Sequence, residues 1–392
     1  MRKLLVIFLS ALLLTGCAAP GRKMESALKG GDILQIDQKS APAGITMEFE
    51  WPEYDASVTG VTYLLTNNTD EAYSTGTYDE LEVQSVNGEW SAVPTVENAG
   101  WTAVELLIEP GTARAFTVVF SFYDYDFQPG VYRVLKDGYS AEFTLTDGAA
   151  ISAETPYGFA PLEELPEDFS IENCIVCEDG RLSSGTEPIK AFLEKVSLDM
   201  NCQLRSVERA SNGSAAVIDI ICEDGRFLRR SLTDGDIAEK FFSYIITDGT
   251  DLYLSNAADW ATAAEHARYT TIETPGYSIL PAGCADAELV SLVEDMTAAR
   301  LDANITRYKV WSPDGTMDAC LTTEPTKLSM GGKGYGTTVD LQDYDGLETA
   351  ILDIAWQEDG SVLLTCNTIN GELSTLRAVL ERGPLGITIT SP

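Results

Sequence analysis

Leu81-Glu82-Val83-Gln84-Ser85-Val86-Asn87-Gly88-Glu89-Trp90 is the stretch on which the reading of the fold turns. Apolar and polar residues alternate along it, the period of a strand with one face buried. Asn87-Gly88 is the dipeptide that best tolerates the positive φ angles of a type I′ turn, so the stretch predicts a β-hairpin closed by a two-residue loop. The same pattern continues on both sides. Ile45 to Trp51 alternates, and Val58 to Leu65 runs into the turn formers Asn67-Asn68-Thr69-Asp70. Further strands are predicted at 103–108, 115–122, 130–136 and 140–146. About seven short strands with frequent turn signals make residues 44–148 a β-sandwich.

These residues also carry a resemblance. Thr62-Tyr63-Leu64-Leu65-Thr66-Asn67-Asn68-Thr69-Asp70, Glu80-Leu81-Glu82, Gly88 to Pro94, Glu109-Pro110-Gly111, Gln128 to Lys136 and Ala141-Glu142-Phe143-Thr144 follow in order. Together they resemble a bacterial Ig-like domain of the kind found in Gram-positive lipoproteins. The resemblance implies a sandwich serving as a spacer or adhesive module and carries no catalytic residues. Alternation predicts that Tyr132 points inward and Arg133 outward.

The N-terminus reads as an address. Arg2 and Lys3 precede an apolar run, Leu4 to Leu14, broken only by Ser10. A helix of that length rises about 16 Å, roughly half of a bilayer core, which suits a signal peptide and not a membrane span. Leu14-Thr15-Gly16-Cys17 resembles the bacterial lipobox. That resemblance implies a diacylglycerol thioether on Cys17, cleavage before it, and a mature chain outside the cytoplasm tethered to a membrane. Residues 1–16 are thus expected to be a lipoprotein signal peptide and 17–43 a flexible tether.

Beyond 148, an Ala-, Pro- and Glu-rich linker is expected at 149–168. Residues 169–392 then read as an α+β region of antiparallel sheet with two helices, either one domain or two subdomains at 169–280 and 281–392. One helix opens at Thr186-Glu187-Pro188, with Pro where its missing N–H costs nothing. It buries Ile189, Phe192, Leu193 and Val196. The other runs from Ala287 to about Arg300 behind Asp286 as N-cap. Strands are expected at 202–209, 214–222, 226–232, 241–247 and 251–255, then as hairpins over 306–392. Cys177-Glu178-Asp179-Gly180-Arg181-Leu182 recurs as Cys222-Glu223-Asp224-Gly225-Arg226-Phe227, through internal duplication or through hairpin chemistry alone. Residues 174–255 resemble a small domain of unknown function in exported Bacillus-type lipoproteins, with Arg205 on its arginine-bearing strand. Ile354 to Leu364 resembles part of a propeller blade, though one such hairpin does not make a propeller.

The chain carries 26 Lys and Arg against 61 Asp and Glu, a net charge of −35. Such a surface repels nucleic acid and anionic head groups. Eight cysteines are present. With Cys17 lipidated, Cys174, Cys177, Cys202, Cys222, Cys284, Cys320 and Cys366 remain, an odd number that cannot all pair within one chain.

No catalytic, cofactor or metal site is expected. His266 stands alone, with no Gly-x-Ser-x-Gly elbow to serve. Ser26-Ala27-Leu28-Lys29 lies in the tether without the other penicillin-binding motifs. Cys174-Ile175-Val176-Cys177 falls in a strand and not at a helix N-terminus, where a thiolate is stabilised. Gly331-Gly332-Lys333-Gly334-Tyr335-Gly336 leads into a strand, unlike a phosphate loop. Asp340, Asp343 and Asp345 lack EF-hand spacing, and Asp124 and Asp126 are expected on one strand face. The favoured reading is a non-enzymatic lipoprotein for binding, sensing or surface interaction, with an envelope protein or glycan as partner. The alternatives are an envelope hydrolase using carboxylates of the C-terminal region and an inhibitor of exported proteases.

Overall fold

The computed structural model describes residues 43–392 except 98, 167–168, 184, 212–214, 268–275, 304–305, 324–325, 342–350, 368–372, 383–384 and 391–392. Cys17 and the Ser26–Lys29 string fall outside the described residues, as do Asp343 and Asp345. The chain is multidomain and mostly β, with three α-helices among the described residues. It divides into two units, one ending at Leu165 and the next beginning at Pro166, within the stretch read as linker.

The first unit is a sandwich. One sheet orders Ile45–Phe49, Gly60–Asn67 and Ala113–Val119; the other orders Glu53–Asp55, Tyr139–Thr146, Gly130–Lys136, Glu80–Gln84 and Trp90–Ala92. Alternate residues of these strands fill the core. Tyr63, Leu65, Leu81, Tyr132, Val134, Phe143 and Leu145 are almost wholly buried. Tyr132 and Phe143 stack at 5.5 Å between centroids. Arg133 faces the other way and lies over Trp90, 4.2 Å from its centroid, beside Glu82. The hairpin at 80–92 differs from expectation in its turn. Ser85 and Glu89 bond across the loop, and only Gly88 has positive φ, at 82°. The loop is therefore the three-residue form, Val86-Asn87-Gly88, in which a glycine in the left-handed region follows a type I turn. Asp124 and Asp126 lie in a bend after the 3₁₀ turn Phe120–Phe122, where Asp126 accepts a bond from Gln128, and not on a strand face.

The second unit has two cores. A six-stranded sheet orders Arg181–Leu182, Ile175–Glu178, Cys202–Arg209, Ala215–Glu223, Arg226–Thr233 and Asp236–Phe242. Helix α1 (Glu187–Ser197) covers one face with Ile189, Phe192 and Leu193. Helix α2 (Trp260–Ala267) and helix α3 (Ala287–Ala303) follow. Asp286 caps α3 by accepting from the N–H groups of Glu288 and Leu289, both at 3.0 Å. Lys190 of α1 and Glu288 of α3 form a 2.6 Å ion pair. Two four-stranded antiparallel meanders, 306–340 and 351–390, share the other core. Strand Tyr244–Thr247 separates the two cores. Tyr244 and Ile246 point into the core of the meanders, and Ile245 into the core under α1 and α3.

Two features of this unit depart from the sequence reading. The strand expected at 241–247 is two strands, broken at Ser243, whose side chain donates to the carbonyl of Lys309. Helix α2 was not anticipated. Eight residues are too short to show a helical period, and its start rests on Asp259, which accepts from the backbone and hydroxyl of Thr262. His266 lies in this helix. The glycine-rich stretch at 331–336 is a hairpin. Gly331 and Gly336 face each other across it, and a Cβ on Gly331 would meet the carbonyl of Tyr335 at 2.7 Å.

Candidate functional site

The six-stranded sheet is longer than the helix that covers it. Past α1, its face carries Leu204, Ser206 and Glu208 on one strand, Ile218 and Ile220 on the next, and Arg229 on the third. The register places these residues side by side: Leu204 beside Ile220 beside Arg229, and Ser206 beside Ile218. They form the floor of a cavity of about 410 Å³, which also takes Cys177 from the adjoining strand. This lies within the range of about 300–1,000 Å³ typical of small-molecule sites.

The roof is strand Leu252–Ser255 with segment 276–283. Tyr253 pairs with Ser278, and the N–H of Ile279 donates to the carbonyl of Leu252 at 2.9 Å. Asp251 is buried at the rim and accepts from the N–H of Gly283 at 2.6 Å. Gly276 permits the close approach. A Cβ there would meet the carbonyl oxygen of Leu254 at 2.7 Å and Cβ of Tyr253 at 2.9 Å.

The charges of the cavity stand at its edges. Arg229 lies 5.2 Å from the centroid of Tyr277 and donates to Ser231, and its strand partner Lys240 lies 4.8 Å from the same ring. Neither makes an ion pair with a carboxylate among the described residues. Glu208 and Asp251 supply the carboxylates, on the opposite flank of the floor and at the roof. Cys177 is unsuited to nucleophilic work. Burial pushes its thiol pKa up, the charge of Glu208 adds to this, and a hydrogen bond to Ser206 only partly offsets both. Cys174, also buried, is pushed up to about 11. Both therefore hold their protons at neutral pH, and the Cys-x-x-Cys lacks the thiolate that redox exchange requires.

Two other cysteines face each other. Cys202 and Cys222 are direct partners on neighbouring strands, both buried and both thiols. Glu223 and Arg226 flank the two-residue loop Asp224-Gly225, so their backbones bond to each other. The backbone of Cys222 therefore turns the other way, toward Cys202. The Cβ atoms of facing residues stand about 4.5–5.5 Å apart, with hydrogen-bonded pairs at the wider end, beyond the roughly 3.5–4.5 Å between Cβ atoms that a disulfide needs.

The other residues singled out in the sequence do not come together. Among the described residues, no group of three or more His, Cys, Asp or Glu side chains gathers as a metal site. No described helix is long and apolar enough to cross a membrane. The cavity escapes sequence reading because its floor becomes a set only when three successive strands pair in register, and its roof comes from a stretch, 277–282, without period. One local signal was present. Leu204-x-Ser206-x-Glu208 becomes steadily more polar along the face that should be buried, which marks where the core ends.

Residues 41–149 match the family of bacterial Ig-like domains, so the first unit contains an Ig-like domain over that stretch. The match stops before the cavity-bearing unit. No curated protein matches the chain. Among solved structures, the alkylpurine DNA glycosylase AlkC of Pseudomonas fluorescens aligns at 14% identity over 27% of this chain and 31% of that one, with a TM-score of 0.19. The chain thus spans about a third of the glycosylase. The archaellum periplasmic stator protein FlaG of Sulfolobus acidocaldarius aligns at 17% identity over 26% of this chain and 99% of its own, with a TM-score of 0.18. Likeness at this level carries no argument about activity.

Proposed function

We propose that the protein is a lipid-anchored extracytoplasmic lipoprotein, held to its membrane through Cys17. The Ig-like domain acts as a spacer, and the second unit binds a small ligand without transforming it. An Ig-like domain suits a surface or spacer role. The observation that carries the binding reading is the cavity itself, roofed by a pinned segment, floored by aliphatic side chains and edged by charged ones. That is the composition of a site that orients a ligand by a few polar groups and holds it by apolar contact.

The anchor is tested by metabolic labelling with a palmitate analogue in a Gram-positive host. Label and membrane association are expected in the wild type and lost in Cys17→Ala, which should appear in the medium. A Cys17→Ala protein that stays with the membrane would contradict lipid anchoring. Binding is tested by melting the full chain against divalent cations, envelope glycans and short peptides. A saturable rise in melting temperature is expected for one class, because a ligand that binds only the folded state stabilises it.

A hydrolase is the second reading, since Glu208 and Asp251 line the same cavity. It requires turnover of a bound compound, abolished in Glu208→Gln.

A further inference from the structure

The placement of charge around the cavity says more about what fills it. On the floor, Glu208 and Arg229 occupy diagonal corners. Glu208 pairs with Ala216, and Arg229 pairs with Ile220 four residues further along that same strand. With about 4.8 Å between strands and about 3.4 Å per residue, their Cα atoms stand about 17 Å apart. Arg229 donates to Ser231, two residues along its strand on the Glu208 side, which shortens the span between the charges. The aliphatic side chains of Leu204, Ile218 and Ile220 lie between these corners.

The corners differ in sign. At one, Arg229 and Lys240 flank the half-exposed ring of Tyr277. Two adjacent cations without a carboxylate partner among the described residues are unusual in a chain of net charge −35. At the other flank stands Glu208, and in the roof Asp251 keeps one carboxylate oxygen beyond the bond it accepts from Gly283.

We infer that the cavity takes a short peptide with both termini free, its carboxylate at Arg229 and Lys240 and its ammonium toward Glu208 and Asp251. Its middle side chain rests on the aliphatic floor. This inference rests on the reading of the second unit as a binding module. Charge complementarity supplies the argument: a guanidinium and a carboxylate face each other across an apolar strip and leave room for an opposite pair between them. An extended peptide advances about 3.3–3.6 Å per residue. Two or three residues therefore fill the distance left once Arg229 has reached along its strand to Ser231. A simple anion would leave Glu208 facing its charge, and a simple amine would leave Arg229 so placed.

The test is calorimetric titration of the full chain with Ala-Leu-Ala, with its C-terminal amide, with its N-acetyl form, and with the doubly blocked N-acetyl amide. The free tripeptide is expected to bind. Each single block should weaken binding by about tenfold or more, since each removes a charge-assisted contact. In Arg229→Gln the free peptide should fall to the affinity of the amide, and the amide should lose nothing further. This pattern does not depend on the variant alone, because the blocked peptides are titrated into the wild type. If the doubly blocked peptide binds as tightly as the free one, the assignment of the termini is wrong while the cavity remains a binding site. If no peptide binds but a glycan or other neutral compound does, the peptide class is wrong and the binding reading stands. If nothing in the panel binds, both fall.

Discussion

Arg205 and Asp219 are partners on neighbouring strands, each only 2% exposed, and joined by two parallel bonds of 2.7 Å. Two charges so deeply buried are tolerated only as a pair, because each satisfies the other where water does not reach. Asp219→Asn is therefore expected to destabilise the second unit by about 3–5 kcal/mol, the usual cost of leaving one buried charge uncompensated. Replacing both residues with apolar side chains of similar volume should cost far less. Urea denaturation of the two variants tests the difference, and equal losses would show that packing and not charge is at stake. Asp286 gives a pH dependence at the same scale. Its carboxylate accepts from the first turn of α3, from Thr186, and lies near Lys190, so its pKa falls below the ordinary value of 3.8. A group depressed on folding adds stability above the unfolded value, and that stability is lost as pH falls through the folded value. The wild type should thus lose melting temperature below about pH 4. Asp286→Asn, which caps without ionising, should lose less over the same interval.

At the scale of elements, turns decide what can be read from a sequence. Asp179-Gly180, Asp224-Gly225, Asp234-Gly235 and Asp137-Gly138 all have positive φ at both positions, and all close two-residue hairpins. The recurrence of Cys-Glu-Asp-Gly-Arg is explained by that turn chemistry. Asn87-Gly88 carries the same signal but closes a three-residue loop, because the register of Gln84 with Trp90 leaves an odd number of residues between the strands. Loop length is set by pairing across the sheet, which no local dipeptide encodes. Gly88 still needs its left-handed φ, and a Cβ there would meet nothing. Gly88→Ala should therefore cost about 1–2 kcal/mol through backbone strain alone, measurable as a fall in the denaturation midpoint of the first unit. Gly276 is the contrasting case. Gly276→Ala puts a methyl group against the backbone of strand Leu252–Ser255. It is expected to loosen the roof and weaken ligand binding, while far-UV circular dichroism stays unchanged. A variant that binds normally would show that the roof does not need that close contact.

At the scale of the whole molecule, the sandwich was legible because its strands are half-buried and neighbours in sequence, so each shows period two. Helices α1 and α3 were legible from Pro188 and from the Asp286 cap. The second unit was harder. Strand Tyr244–Thr247 is buried on both faces and shows no alternation, and the hydrophobic run there hides two cores behind one string of apolar residues. The cavity is a property of the assembled sheet, whose polar residues become a set only when three strands pair. The cysteines also belong to this scale. Cys202 and Cys222 stand at a hydrogen-bonded register, and the others in this unit are thiols. Titration of the unfolded chain with a thiol reagent, without reductant, is expected to count all seven cysteines beyond Cys17 as reactive. A disulfide linking Cys202 to Cys222 would contradict the register argument.

The central claim is that the second unit binds a ligand between its sheet and segment 276–283. Hydrogen exchange of the full chain tests it most directly, with and without the compound that most raises its melting temperature. The account predicts slower exchange in 276–283, in strand Leu252–Ser255 and in the floor strands Cys202–Arg209 and Ala215–Glu223. Protection confined to the Ig-like domain, or to the meanders of 306–390, would contradict it.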